Sequence, residues 1–271
     1  MKSVLLHVQD DEGLEARLQA AMAIVRASGG HLSCLQITPV SAYVAFDGFG
    51  GALAMGDIMK ALDEREDALR AEMEARLSLE DISWDYAQVA ANPGGLLIAR
   101  AALNDLLVLS RHHHHASSAY PAMTMFGDIL HASRTPMLVQ PGTQTGFDPL
   151  GPVIVAWNGS FEAANAIRQA LPLIAMASAV HVVTVEEERD DRFPSTAASE
   201  YLARHGIMSE IHSHDGGGRP VAQTIIDAAS IHRASAIVMG AYGHSRAHEY
   251  LFGGVTRALL KDCPVPLVLG R

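Results

Sequence analysis

Residues 236–243 read Ala-Ile-Val-Met-Gly-Ala-Tyr-Gly, and after nine further residues positions 253–256 read Gly-Gly-Val-Thr. The apolar run 236–239 predicts a buried strand that ends at Gly240. Gly253 and Gly254 precede a pattern that is typical of a helix start. Glycines at a strand end and at a helix start let backbone N–H groups approach an anion, because no Cβ stands in the way. The stretch therefore predicts a site for a nucleotide phosphate.

The order of strands and helices occurs twice along the chain. Strands are expected at 4–8, 31–37, 106–109 and 135–139, and again at 153–157, 181–185, 237–239 and 265–269. Amphipathic helices follow the first strand of each half, at 14–27 and 161–176. Short apolar strands that alternate with helices indicate parallel βαβ units. The sequence predicts an α/β, Rossmann-like fold with two tandem doubly wound, mainly parallel five-stranded sheets.

A polar, turn-rich segment at 141–149 separates the two repeats. It predicts a first domain at 1–142 and a second domain at 151–271. The first domain has the longer insertion, 41–79, whose latter part has helical periodicity and many charges.

The glycine string resembles the signature of the universal stress protein (UspA) family, whose nucleotide-binding members carry Gly-x2-Gly-x9-Gly followed by Ser or Thr. In this chain Gly254 stands at the hydroxyl position and keeps only the backbone donor, while Thr256 supplies a hydroxyl two residues later. The resemblance covers the whole chain as a tandem pair, but the specific motif occurs in the second copy alone. It implies a pseudo-dimer whose last strands, 136–140 and 265–269, meet between the copies, and it leaves a further homodimer open.

The resemblance and the predicted strand ends also indicate the binding residues. Asn158 stands where the family usually has an aspartate beside the base and ribose, and Val185 matches the position whose backbone faces the adenine. Arg246 lies within the spacer and is suited to neutralise phosphate charge. The predicted nucleotide-binding residues are Asn158, Val185, Gly240, Gly243, Arg246, Gly253, Gly254, Val255 and Thr256. The expected ligand is ATP or AMP, with or without Mg²⁺.

The first copy lacks these features. Ser110 stands where the second copy has Gly240, and His113 stands at the place of Gly243. Asp128 is expected at a helix start, where its carboxylate would occupy the backbone donors and repel a phosphate. The sequence therefore predicts a degenerate first loop and one nucleotide per chain.

The chain has 14 histidines, which raises the question of a metal site. The run 112–115 is adjacent in sequence, so its four rings cannot all face one ion. His244 and His248 have i,i+4 spacing, and His212 lies two residues from His214, but both pairs are interpreted as parts of a histidine-rich surface. No metal ligand is predicted.

Two further features have competing interpretations. Trp157 ends a buried strand, so a place in the core is favoured over stacking on a base. The segment 216–220 is rich in glycine and resembles a phosphate loop, but a flexible turn is favoured.

Charge and composition narrow the function classes. The formal net charge is −10, which argues against binding to nucleic acid or to anionic membranes. No apolar run has membrane-spanning length, and two cysteines give no disulfide framework, so the cytoplasm is expected. No Walker-type lysine, metal carboxylate pair or nucleophile elbow is present, so no catalytic residue is predicted and slow ATP hydrolysis is left open.

Two functions remain open on the sequence alone. The leading hypothesis is a stress-response protein that binds ATP or another adenine nucleotide in its second domain. The alternative is a regulatory scaffold of the same family that holds an apolar ligand or none. The glycine string favours the first, and Asn158 together with the degenerate first copy favours the second.

Overall fold

A computed structural model describes residues 1–39, 52–111, 122–142, 146–186, 192–215, 217–241 and 253–271. Within these ranges the chain forms ten strands and eight helices. None of the helices in these ranges is long and apolar enough to cross a membrane.

The first half alternates strands with helices, as the periodicity predicts. Its strands are β1 (Ser3–Val8), β2 (His31–Pro39), β3 (Ser83–Ala91), β4 (Leu106–Arg111) and β5 (Met137–Pro141). Its helices are α1 (Leu14–Ser28), α2 (Ala52–Leu77), α3 (Pro93–Ala101) and α4 (Ala122–Ala132). The helix expected in the latter part of the insertion is thus present as α2 and begins earlier than the periodicity suggested.

The second half repeats this order. Its strands are β6 (Val153–Trp157), β7 (Val180–Glu186), β8 (Glu210–Asp215), β9 (Ala236–Gly240) and β10 (Leu267–Gly270). Its helices are α5 (Phe161–Ile174), α6 (Ser195–Arg204), α7 (Val221–Ile231) and α8 (Gly254–Asp262).

Local sequence signals set several helix ends. Asn92 caps α3, since its Oδ1 accepts a hydrogen bond from the Gly95 backbone N–H at 3.1 Å. Pro93 follows at the first helical position, where a missing N–H has no cost. Gly29 ends α1 in the left-handed conformation at φ 55°, which a residue with a Cβ rarely adopts.

All ten strands form one continuous sheet in the order β3-β2-β1-β4-β5-β10-β9-β6-β7-β8. Strands within each half are parallel, and the two halves meet where β5 pairs antiparallel with β10. The order read outward from this seam is the same in both halves, so the two copies are related by a pseudo-twofold. The predicted α/β tandem fold is confirmed, with its two five-stranded sheets fused edge to edge. The domain boundaries at 142 and 151 stay a prediction.

Both faces of the sheet are covered. Val4 and Leu6 pack into one apolar core, whereas Leu5 packs into the other. Successive side chains of a strand point to opposite faces, so the two cores lie on the two sides of the sheet. This arrangement explains why the central strands are apolar at nearly every position.

The seam itself is apolar and buried. Val139 pairs with Leu267, and Leu138 pairs with Val268, each at 2% exposure or less. An unpaired apolar strand at a sheet edge would be open to association with other chains. The pairing of β5 with β10 covers both edges at once, as expected for the last strands of the two copies.

Two arginines donate hydrogen bonds across the β5–β10 seam to the C-terminal carbonyls of helices in the other half. The Arg111 guanidinium donates hydrogen bonds to the backbone carbonyls of Leu260, at 2.9 Å, and of Cys263. These carbonyls lie at the end of α8, where the last turn has no partners within the helix. Arg271 donates to the carbonyl of His131 at 3.2 Å, near the end of α4. Each half thus supplies a cation to the last helix of the other.

Replacing Arg111 tests this capping. Arg111→Met leaves buried carbonyls without donors, so we expect the free energy of unfolding to fall by about 1–3 kcal/mol in urea denaturation. The control is Arg204→Met, because the Arg204 side chain is exposed and, among the described residues, its ion pair is the i,i+4 contact with Glu200. It should change stability by less than about 0.5 kcal/mol. Equal losses in both variants would show that the cap contributes nothing.

Candidate functional site

A cleft opens at the carboxyl ends of β6, β7 and β9, where open α/β sheets usually bind ligands. Its apolar wall is formed by side chains from β7, α7 and β9. They are Val183, Val185, Val221, Ile225 and Met239. Its other side is formed by the turn after β6 and by the first residues of α8. The cleft therefore joins an apolar surface to a polar rim.

The first turn of α8 lines this cleft, and its N-cap residue, Gly253, has no side chain to cap the helix. Among the described residues, no side chain accepts a hydrogen bond from the first N–H groups of α8. The first bond within the helix runs from the Arg257 N–H to the Gly253 carbonyl at 3.0 Å, so the N–H groups of Gly254, Val255 and Thr256 precede the helical ladder. These donors and the positive end of the helix dipole favour an anion.

The two glycines at this helix start have open space around them. A Cβ built on Gly253 or on Gly254 would meet no heavy atom within 4 Å. Nothing in the described protein therefore requires glycine there for packing. Thr256, which lines the cleft from the same turn, is 5% exposed.

Gly240 lines the cleft but has a different role. A Cβ on Gly240 would lie 2.5 Å from the backbone nitrogen of Ala163. The glycine therefore lets the first turn of α5 pack closely against the end of β9. The sequence assigned Gly240 to phosphate approach, whereas its surroundings indicate helix–strand packing.

The turn after β6 is held by its own polar groups. The Asn158 Oδ1 accepts a hydrogen bond from the Ser160 N–H at 3.2 Å. The Ser160 Oγ in turn accepts from the Ala163 N–H at 3.2 Å and caps α5. Gly159 between them has φ 72°. The side-chain oxygen of Asn158 thus already accepts a hydrogen bond within the turn, through one of its two lone pairs, before any ligand binds.

Arg192 is a cleft residue that the sequence did not indicate. Its Nη1 donates a hydrogen bond to the backbone carbonyl of Asn158 at 3.0 Å. The neighbouring Phe193 N–H donates to the backbone carbonyl of Gly159 at 3.0 Å. The Trp157 Nε1 donates to the Phe193 carbonyl at 3.1 Å. These bonds hold a guanidinium at the rim of the cleft. Arg192 follows no recognisable motif, and only the packing of its segment on the β6 turn brings it here.

Trp157 serves mainly as a core residue, as the sequence favoured. It is 5% exposed and belongs to an apolar core, although it also lies beside the cleft. The described part of the glycine-rich segment beyond β8 forms a turn at 217–218 before α7, and its interpretation as a flexible turn stays a prediction.

The structure brings together most of the predicted binding residues. Those that line the cleft are Asn158, Val185, Gly240, Gly253, Gly254, Val255 and Thr256. Gly243 and Arg246 lie outside the described residues, as do His112–His115, His244 and His248.

Strand register identifies the matching position in the first half. Ser110 pairs with Gln140 across β4 and β5, as Gly240 pairs with Gly270 across β9 and β10. The predicted correspondence of Ser110 with Gly240 is therefore confirmed. His113, predicted to match Gly243, lies outside the described residues.

A buried arginine occupies the carboxyl edge of the first half. Arg17 of α1 is 1% exposed, and its Nη1 donates to the Ser110 Oγ at 2.6 Å and to the Asp11 Oδ1 at 2.7 Å. Its Nε and Nη2 donate to the carbonyls of His7 and Gln9 at 2.9 and 2.8 Å. This network ties the ends of β1 and β4 to α1 with protein groups alone. In the second half the equivalent residue, Gly240, has no side chain, and the backbone of α5 packs directly against it.

The expected place of Asp128 is wrong. Helix α4 begins at Ala122, so Asp128 lies in the middle of the helix and not at its start. Both α4 and α8 end five residues before the next strand begins. Counting back from these ends matches Gly253 and Gly254 to Met123 and Thr124. The first copy thus differs at the helix start because it lacks the glycine pair, not because a carboxylate stands there.

Comparison with known proteins finds a family match in the second half of the chain. A model described as the universal stress protein family matches residues 150–271. Universal stress protein Slr1230 of Synechocystis sp. is 22% identical over the full length of both chains. The second half of the chain, slightly less than half of its length, carries the match to this family.

Solved structures of similar proteins show the same tandem fold. A universal stress protein from Archaeoglobus fulgidus superposes with a TM-score of 0.74 at 15% identity, covering 99% of this chain and 98% of the other. A functionally unknown protein from Pseudomonas aeruginosa has a TM-score of 0.59 at 17% identity, covering 99% and 92%. At such low identity these likenesses concern the fold alone.

The different surroundings of Gly240 and Gly253 lead to a stability test. Gly240→Ala places a Cβ against the α5 backbone, so we expect a loss of about 1–3 kcal/mol in the free energy of unfolding. Gly253→Ala adds its Cβ in open space and should cost less than about 1 kcal/mol, since only an N-cap preference is lost. Chemical denaturation of both variants measures the difference. A larger loss for Gly253→Ala would contradict the packing role of Gly240.

Proposed function

We propose that this protein is a cytoplasmic stress-response binding protein that holds an adenine nucleotide, ATP or AMP, in the cleft of its second half. The observation that carries the proposal is the uncapped N-terminus of α8, with its two unobstructed glycines, at the rim of that cleft. Such a helix end favours a phosphate through its free backbone donors and its dipole.

The rest of the cleft suits the other parts of a nucleotide. Val183, Val185 and Ile225 offer an apolar surface on which a base can pack. Arg192 adds a cation at the rim, and charge-assisted hydrogen bonds from arginine to phosphate are stronger than neutral ones. The chain would thus hold the base at the apolar wall and the phosphates at the start of α8.

The cleft chemistry supports binding over turnover. Among the described lining residues there is no Asp, Glu, His or Lys. General acid–base catalysis and metal-assisted phosphoryl transfer both need such groups within reach of the phosphates. The proposal is therefore a nucleotide-binding module, with any hydrolysis slow.

A scaffold without a nucleotide is the competing function. The apolar wall favours it, because such a surface also suits an apolar ligand. Asn158 favours it as well, because its side-chain oxygen already accepts a hydrogen bond from Ser160 and needs no polar ligand. The two functions differ in what the start of α8 does. It binds a phosphate in the first and is merely solvated in the second.

Substitution at Gly253 separates them. Gly253→Val puts a branched side chain where the phosphate would approach, so ATP affinity should fall at least about tenfold, or about 1.4 kcal/mol, in titration calorimetry. Gly146→Val is the matched control, because a Cβ at Gly146 also meets nothing within 4 Å but lies in the segment between the halves. The control should bind ATP as the wild type does. Equal affinity in all three proteins would refute the site.

Charge and stoichiometry give a second test. Arg192→Met should weaken the affinity for ATP at least about tenfold while changing the affinity for adenosine less than about twofold, because the guanidinium acts on phosphate.

Equilibrium dialysis with labelled ATP should give one nucleotide per chain, since the first half lacks the glycine pair and its strand ends are tied by Arg17. Two equivalent sites would contradict this asymmetry. No binding at all would favour the scaffold.

A further inference from the structure

Three histidines that are distant in sequence meet on one face of the second half. His181 lies at the start of β7, His212 on the neighbouring β8, and His232 directly after α7. A ligand nitrogen of each lies within 4.8 Å of those of the other two. The group is remote from the cleft, since His181 precedes Val185 by four residues of extended strand, or about 13 Å.

The distances within this cluster match a coordination polyhedron. The His181 Nδ1 and the His212 Nε2 are 3.1 Å apart. The Glu210 Oε2 lies 3.5 Å from the first and 3.6 Å from the second. With bonds of about 2.0–2.2 Å to zinc, ligand atoms at tetrahedral angles are separated by about 3.3–3.6 Å. These three atoms therefore already form a triangle of nearly the required size.

His232 stands over this triangle from the helix side. Its ring stacks on His181 with a centroid distance of 4.0 Å and lies 4.3 Å from the His212 ring. We propose that His181, His212 and His232, with Glu210 as the fourth ligand, bind one divalent transition metal ion such as Zn²⁺. No nucleotide is required for this site, which is independent of the function proposed above.

The chemistry of the four groups selects the class of ion. Imidazole nitrogen suits zinc, copper, nickel and iron, whereas calcium and magnesium take oxygen ligands. Burial, and then the neighbouring imidazoles, lower the pKa of His181 and His232, so both rings are neutral near pH 7 and keep a lone pair for a metal. Three packed imidazoles and one carboxylate thus offer a nitrogen-rich site for a single dication.

Four protein ligands leave no open position, so the site is structural. Closed tetrahedral sites add folding energy, whereas catalytic zinc sites keep a position for water or substrate. The ion would tie β8, the edge strand of the sheet, to β7 and to the end of α7. An edge strand has a partner on one side only, so such a link would hold it in place.

The first measurement uses Co²⁺, whose visible absorption reports tetrahedral coordination. The run at 112–115 is itself able to capture such ions, so the reference protein is the full chain with all four of these histidines replaced by alanine. We expect it to bind one Co²⁺ with an intense tetrahedral spectrum, to release it when Zn²⁺ is added, and to melt at a higher temperature with Zn²⁺ than without. Failure to show that spectrum would overturn the proposal.

Substitutions in this reference protein then assign the ligands. His212→Gln should weaken Co²⁺ binding at least about tenfold and abolish the tetrahedral bands, because outer-shell partners alone contribute that much. His205→Gln is the matched control, since His205 is an exposed histidine of the same half outside the cluster. It should keep the spectrum and the affinity. The same loss in both variants would point to scattered surface binding and refute the site.

The Glu210→Gln variant tests whether loss of metal binding can be separated from misfolding. The Glu210 side chain is 74% exposed, so its replacement leaves the packing intact. We expect weaker Co²⁺ binding and a shifted spectrum, with circular dichroism unchanged. An unaltered spectrum would remove Glu210 from the ligand set and contradict the closed four-ligand site.

Discussion

The antiparallel pairing of β5 with β10 is the contact on which the whole molecule depends. It joins two parallel five-stranded sheets into one sheet and buries the apolar last strand of each copy. The same seam places the end of β4 beside α8, so that Arg111 caps the helix whose other end faces the cleft. One strand pair therefore links the first half to the geometry of the proposed site in the second.

The two halves use the carboxyl ends of their strands differently. In the first half Arg17 binds Ser110 and two strand-end carbonyls, so protein groups satisfy one another. In the second half the glycine at the place of Ser110 admits the α5 backbone, and the start of α8 has no side-chain cap. The carboxyl ends of the strands therefore differ between the two halves of this pseudo-symmetric fold. In the first half protein groups hydrogen-bond one another there, and in the second half backbone N–H donors face the cleft.

The second half also has different chemistry at its two ends. Backbone donors and Arg192 gather at the carboxyl ends of the strands, where an anion is favoured. Imidazoles and Glu210 gather near the opposite end of β7, where the metal ion is proposed to bind. Parallel strands make this possible, because every strand of the half starts at one edge and ends at the other.

The sequence by itself determined the repeat, the parallel βαβ order and the strand that ends at Gly240, because periodicity and glycine placement are local properties. It also indicated seven described residues of the cleft through the glycine motif, the strand ends and the family resemblance. It misplaced Asp128 at a helix start, since the first residue of a helix depends on packing more than on a single side chain. Only the tertiary structure brought Arg192 to the cleft and His181 to His232. Those contacts join segments far apart in the chain, and no local pattern encodes which distant side chains will meet.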